Sequence, residues 1–230
     1  SSAASDVYKR QDYEVILVDG GSTDNTYEVL KEYPMVKVLK DIPPRGPVRA
    51  VNKGIEDMRG EFFAQLNSDC YLDPLMYEQC INILEKNENL GMVYTSWYII
   101  DDAGKKLGVA NQPPKFDRNI LIYYNYIDAT GMVIRRSCFD KVGMFDERCP
   151  MSMDWIMAAK VSEYFNVYYL NKPLFYYRIH PGQMTQDPRI IEDNKRAKKI
   201  IRKHYRLDAI FMSEVMFLCK KAKKIIRVWL

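Results

Sequence analysis

Residues 14–26, EVILVDGGSTDNT, decide the fold. Five residues dominated by Val, Ile and Leu, closed by Asp19-Gly20-Gly21, read as a short buried strand of a parallel sheet. Ser22 to Asn25 then offer helix N-cap residues, and Asn25 with Glu28 has capping-box spacing, so a helix to about Glu32 is expected. Working outward, Val36 to Leu39 is a second short strand. Pro43, Pro44, Gly46 and Pro47 make a loop whose last proline suits a first helical turn, followed by Val48, Val51, Ile55 and Met58 at helical spacing. Glu61 to Leu66, EFFAQL, is a third buried strand ended by Asn67-Ser68-Asp69. A helix capped by Asp73, with Pro74 first, should run to about Asn87. Strand and helix alternate three times, the pattern of an α/β fold with a parallel sheet.

The second half is less regular. Met92–Ile100 reads as a strand turning at Asp101–Gly104. Met132–Ile134 is another, followed by a helical turn from Ser137 to Val142 with Gly143 as its C-cap. Asp154–Tyr164 is expected as a helix with Trp155, Ala158, Ala159 and Tyr164 inward. Val167–Leu170 and Leu174–Arg178 read as two strands. From Ile190 on, two basic amphipathic helices are expected.

The 230 residues are 47% hydrophobic and 28% charged, a globular balance that excludes a disordered or fibrous chain. No eighteen-residue apolar window is present, which excludes a spanning helix. Five scattered cysteines without a CxxC pair point to a reducing compartment and away from a cysteine zinc site. The net charge of +4 is uneven. Lysines and arginines far outnumber the two acids Asp208 and Glu214 from Lys195 onward, so the remainder is net acidic. Such a tail suits an anionic membrane surface or a helical lid on the domain. Without a reader motif it does not suit nucleic acid.

In open α/β sheets, ligands bind beyond the carboxyl ends of strands. Two strands here end in acids, Asp19 and Asp69. On adjacent strands, their carboxylates would share a crevice, one accepting hydrogen bonds from a base or ribose and the other holding a divalent cation.

The blocks VILVDGGSTDNT, NKGIEDMRGEFFAQLNSD, GMVIRRSCFDKVGMFDE, SMDW and YYRIHPGQMT occur in that order between Asp12 and Thr185. This resembles glycosyltransferase family 2, inverting enzymes of the GT-A fold. The resemblance implies a Rossmann-like, mostly parallel sheet flanked by helices. It implies transfer of a sugar from a nucleotide-diphosphate donor of UDP or dTDP type to an acceptor hydroxyl on a glycan or lipid-linked molecule, in cell-surface polysaccharide or glycolipid synthesis. A cytoplasmic setting, peripheral on the membrane's inner face, goes with that role. Asp19 matches the acid that recognises the donor base, and Asn67-Ser68-Asp69 the metal-binding DxD, with Asp69 contacting Mg or Mn and the donor phosphates. Asp154 matches the catalytic base. Arg178 and His180 match a block near the donor phosphates, Arg178 as a donor contact and His180 as a metal ligand.

Two departures stand out: Gly20 where the family has a second acid, and Cys70 where an acid is common. Together with Asn67, where the family often has an acid, they suggest the alternative of a non-catalytic sugar-nucleotide or partner-binding module on the same fold. A nucleotidyltransferase would want a Gly- and Arg-rich phosphate loop, which is not visible.

Residues 1–11, SSAASDVYKRQ, reverse-translate into a transposase sequencing adapter, so native sequence is expected to begin at Asp12. Three segments result: an adapter-derived 1–11, a GT-A domain at 12–189 lacking its first central strand, and a basic helical tail at 190–230. A sheet without that strand has two open edges, so the chain as it stands is expected to be poorly stable and inactive.

Overall fold

A computed structural model describes residues 13–44 and 46–204. The expectations for residues 1–11 and for a second tail helix lie outside these. The strands are β1 (Val15–Asp19), β2 (Val36–Lys40), β3 (Phe62–Ala64), β4 (Tyr71–Leu72), β5 (Leu90–Ile100), β6 (Lys106–Val109), β7 (Met132–Arg135) and β8 (Asn166–Arg178). The helices are α1 (Thr26–Leu30), α2 (Pro47–Asp57), α3 (Met76–Glu85), α4 (Arg118–Leu121), α5 (Ser137–Val142), α6 (Met153–Tyr164) and α7 (Ile190–His204). None of the described helices is long and apolar enough to cross a membrane.

The α/β architecture is as expected, but the sheet is mixed rather than mostly parallel. β1 and β2 form a parallel pair of their own, Val15 opposite Val36. The other six strands make a sheet in the order β3-β7-β5-β8-β4, with β6 on β5. In it only β5 and β8 run parallel; β7 is antiparallel to both β3 and β5, β4 to β8, and β6 to β5. Among the described residues β1 pairs with β2 alone and β3 with β7 alone, so each keeps one unpaired edge.

Period-two alternation places Met92, Tyr94, Met132 and Ile134 on one face of the sheet and Val93 and Val133 on the other. The first face meets α2, α5, α6 and α7 in the larger core. The second is covered by Met76, Cys80 and Leu84, one stripe of α3 at four-residue spacing, each fully buried. Helix α2 joins the two sheets. Val48 and Ile55 enter the larger core, Asn52 exchanges two 3.0 Å hydrogen bonds with the Phe145 backbone, and its Gly54 lies against Val18 of β1.

Local details differ from expectation. The Asn25–Glu28 capping box does not form; Asp24 instead accepts from the Thr26 amide at 3.1 Å and from its hydroxyl. Helix α3 starts at Met76, since Asp73 accepts from Leu75 N at 2.9 Å and holds Pro74 in a turn. Tyr164 points outward, 48% exposed, with Lys141 over its ring. The two expected strands at 167–178 are one, β8, whose register on β5 jumps between Leu170 and Pro173, a bulge that admits the proline. Strand β6 was not expected. Helix α7 packs against the domain, burying Asp193, Ala197 and Ile201; of the two readings of the basic tail this is the geometry of a lid.

Gly91 sits where β5 passes under α5 and the end of α6. A Cβ there would stand 2.6 Å from Phe165 Cβ and 2.7 Å from Cys138 Sγ. Gly91→Ala should therefore destabilise the fold by about 1–3 kcal/mol, read as a lowered urea midpoint with unchanged slope.

Candidate functional site

Asp19 closes β1 and is buried. Its carboxylate accepts from Gly21 N and Ser22 N at 3.0 Å each, from the Ser22 hydroxyl, and from Tyr27 OH at 2.8 Å. Hydrogen bonds to the charged form, from the Ser22 hydroxyl first, then Tyr27 and the Ser22 amide, hold its pKa down to about 2. Every one of these donors belongs to the turn and helix that follow the strand. The turn requires glycine at 21, where φ is +102°. At Gly20 a Cβ would come within 3.1 Å of Pro44 Cβ, so the chain has little room for the family's second acid.

Asp69 lies beyond β3. Strand β4 pairs antiparallel with β8, Tyr71 opposite Tyr176, which carries the segment before β4 alongside the residues after Tyr176. Asp69 Oδ2 thus meets His180 Nε2 at 3.3 Å. Cys70 Sγ donates to Asp69 Oδ1 at 3.4 Å. Burial first, then Asp128 and Asp69, pushes the Cys70 thiol up to about 12, so it is a neutral donor that orients Asp69 and not a thiolate. Asn67 accepts from Gln65 Nε2 at 2.8 Å, and its carbonyl accepts from Cys70 N at 3.1 Å, closing the turn that contains Ser68. Arg178 NH1 donates to the carbonyls of Asp101 at 2.9 Å and Asp102 at 2.6 Å, and NH2 to Tyr71 OH at 2.7 Å. It braces the β5–β6 turn against β4 at the strand end that leads to His180.

Asp154 lies in the first turn of α6; Ser152 is the N-cap. Its Oδ1 accepts from Trp155 N at 2.6 Å and from Asn125 Nδ2 at 3.1 Å. These donors are outweighed. Burial first, and the charge of Asp128 second, raise the Asp154 pKa to about 7.

Sequence reasoning missed Asp128. It precedes the 3-10 turn Ala129–Gly131 and accepts from Thr130 N at 2.8 Å. Burial, then the charge of Asp69, raises its pKa to about 6. It feels Asp69 and is felt by Asp154, so Asp69, Asp128 and Asp154 share one field. The local signal was an Asp heading a short turn. What hid it was the strand direction: Asp128 precedes its strand, and only because β7 is antiparallel to β3, Ala64 opposite Val133, does its start lie at the end of β3. Among the described residues Asp19 makes no hydrogen bond to these three acids; its partners are those of its own loop.

Among the described residues no three His, Cys, Asp or Glu side chains are grouped to cage a metal. Mg is ordinarily held by one or two carboxylates, with water and substrate phosphates completing its shell. Asp69 with His180, both partly exposed, fits that incomplete donor set.

The model of glycosyl transferase family 2 matches residues 2–143. An uncharacterized glycosyltransferase of Rickettsia typhi is 28% identical over 191 residues, covering 80% of this chain and 59% of that protein. Chondroitin synthase of Pasteurella multocida is 30% identical over 178 residues, 76% of this chain and 18% of its own length. Among solved structures, S. aureus TarS residues 1–349 in complex with UDP superposes with a TM-score of 0.66 at 16% identity, over 90% of this chain and 61% of that one. The chain thus spans about three-fifths of the Rickettsia typhi protein and of the TarS fragment, and less than a fifth of the chondroitin synthase. With the family match covering more than half of its residues and the GT-A architecture in place, this chain belongs to glycosyl transferase family 2.

Proposed function

We propose that this domain transfers a sugar from a nucleotide-diphosphate donor to an acceptor hydroxyl with inversion, in the assembly of a cell-surface polysaccharide or glycolipid. The observation that carries the reading is Asp154, a carboxylate whose pKa is raised to about 7 and whose field is shared with the Asp69–His180 pair through Asp128. A general base works best when its pKa lies near the working pH. Family membership, the polysaccharide synthases among the relatives and the UDP and UDP-GlcNAc complexes of TarS support the substrate class.

In this mechanism the base of the donor lies by the Asp19 turn and its phosphates by Asn67, Ser68, Asp69 and Arg178. Asp69 and His180 would hold Mg or Mn, which when bound neutralises charge on the departing diphosphate. Asp154 takes the proton from the acceptor hydroxyl as that oxygen attacks the anomeric carbon from the face opposite the diphosphate. The C–O bond to the acceptor forms as the bond to the diphosphate breaks. The neutral Cys70 leaves this region with one negative charge fewer than a second acid would give. The outward Lys195, Lys199 and Lys203 of α7 offer a basic face for an anionic membrane surface, suited to a lipid-linked acceptor.

The test is a panel of UDP- and dTDP-sugars with the full-length gene product, reading released nucleotide diphosphate. Asp154→Asn should lower kcat by about 10²–10⁴-fold while calorimetry shows donor binding retained; unchanged turnover would remove Asp154 as the base, and a parent that binds donors without releasing nucleotide diphosphate would favour the non-catalytic module. Asp69→Asn should weaken donor binding in the presence of Mn and abolish its dependence on the ion.

The pH dependence has a definite sign. The base must be ionised, so kcat/KM should fall as pH drops below about 7. An unfolded Asp titrates near 3.9, so between about pH 4 and 7 the folded chain binds the extra proton, and stability declines as pH rises through that window. Asp154→Asn should accordingly melt higher than the parent at pH 8 and lose that advantage at pH 4.

A further inference from the structure

We propose that Asn125 is a positioning residue for the base: its side-chain amide clamps one oxygen of Asp154 and so leaves the other to take the acceptor's proton. The inference deepens the reading of Asp154 given above and rests on it.

Two donors converge on Oδ1 of Asp154, Trp155 N at 2.6 Å and Asn125 Nδ2 at 3.1 Å. Among the described residues Oδ2 accepts none. The carboxylate is thereby made unsymmetrical, with one oxygen anchored and the other free for proton transfer. Asn125 is itself fixed. Its Oδ1 accepts from Ile127 N at 3.2 Å, which aims Nδ2 at Asp154. Directly after it Tyr126, 4% exposed, ties its hydroxyl to the Asp117 backbone, accepting from N at 3.1 Å and donating to O at 2.9 Å. Ile127 is 2% exposed in the larger core. A loop residue followed by two buried anchors and bonded back to one of them can present an amide without a large entropic loss on ligand binding.

The charges around Asp154 give this amide its task. Asp128, three residues beyond Asn125, acts on Asp154 as a like charge. From α7, Asp193 is bonded to the Ser152 hydroxyl at 2.6 Å, and Lys198 lies over the Trp155 ring at 5.7 Å. Against the repulsion of Asp128, the Asn125 amide and the first-turn N–H of α6 stabilise the ionised form. Without the amide, Asp154 would stay protonated to higher pH and its oxygens would lose their distinction.

Asn125→Asp is the decisive variant. It keeps an oxygen for Ile127 N, and so the turn, but replaces the donor facing Asp154 with an acceptor. Asn125→Ala removes both. In protein labelled with ¹³C at aspartate side-chain carboxyls, Asp154 is identified by the signal lost in Asp154→Asn and titrated by NMR. Both Asn125 variants should raise its midpoint by about one pH unit. In the full-length gene product kcat/KM should fall about tenfold at pH 6 and approach the parent at pH 9, with donor KM unchanged. An unmoved midpoint in Asn125→Asp overturns the proposal, as does a pH-independent loss of rate. A parent without transferase activity would overturn the functional reading, while the titration would still decide the role of Asn125.

Discussion

The candidate site depends on the antiparallel insertion of β7 between β3 and β5. That pairing, Ala64 with Val133 and Tyr94 with Met132, brings the beginning of one strand to the end of another. The loop before β7 holds Asn125 and Asp128; the loop after β3 holds Asp69, whose charge acts on Asp128; and the start of α6 brings Asp154 to Asn125 and Asp128. Carboxylates from three distant parts of the chain thus come under one another's influence at a single edge of the sheet. The backbone register does this. With β7 parallel, Asp128 would be at the opposite edge, and Asp154 would lose the neighbour that helps raise its pKa.

The same acid type is driven in opposite directions within one domain. Asp19 is wrapped by donors from its own turn and stays ionised well into the acid range. Asp154 accepts two hydrogen bonds yet titrates near neutrality, since burial and a like charge outweigh them. Two carboxylates of one residue type are thus separated by environment alone. Asp69 is oriented by a thiol too strongly buried to ionise, which steadies its geometry without adding charge.

Much of the fold was legible because its signals are local. The apolar run before Asp19 and the EFFAQL run become β1 and β3, and Ser137–Val142 ends at Gly143 with φ +76°, as a glycine C-cap requires. What stayed hidden depends on partners far along the chain. β6 is exposed throughout and too short for Leu107 and Val109 to signal a strand; it holds its place through pairing with β5 and through Lys106, 3.8 Å over the Tyr98 ring. Pro173 reads as a strand break because the bulge that tolerates it exists only opposite Thr95 and Ser96. At the site, Asp69, His180 and Asp154 were reachable through the family resemblance, whereas Asp128 and Asn125 were not. Their significance lies in which strand end they adjoin and which oxygen they face, and neither is written in residue spacing.

The close approach of Gly20 to Pro44 bears on how such a domain can change over time. The first acid-bearing turn and the proline loop occupy the same space, so enlarging residue 20 obliges the loop opposite to yield by a few tenths of an ångström. The two positions therefore form a coupled pair: a lineage that places a carboxylate at 20 gains it most readily together with a change in the chain around 44 that opens the same few tenths of an ångström.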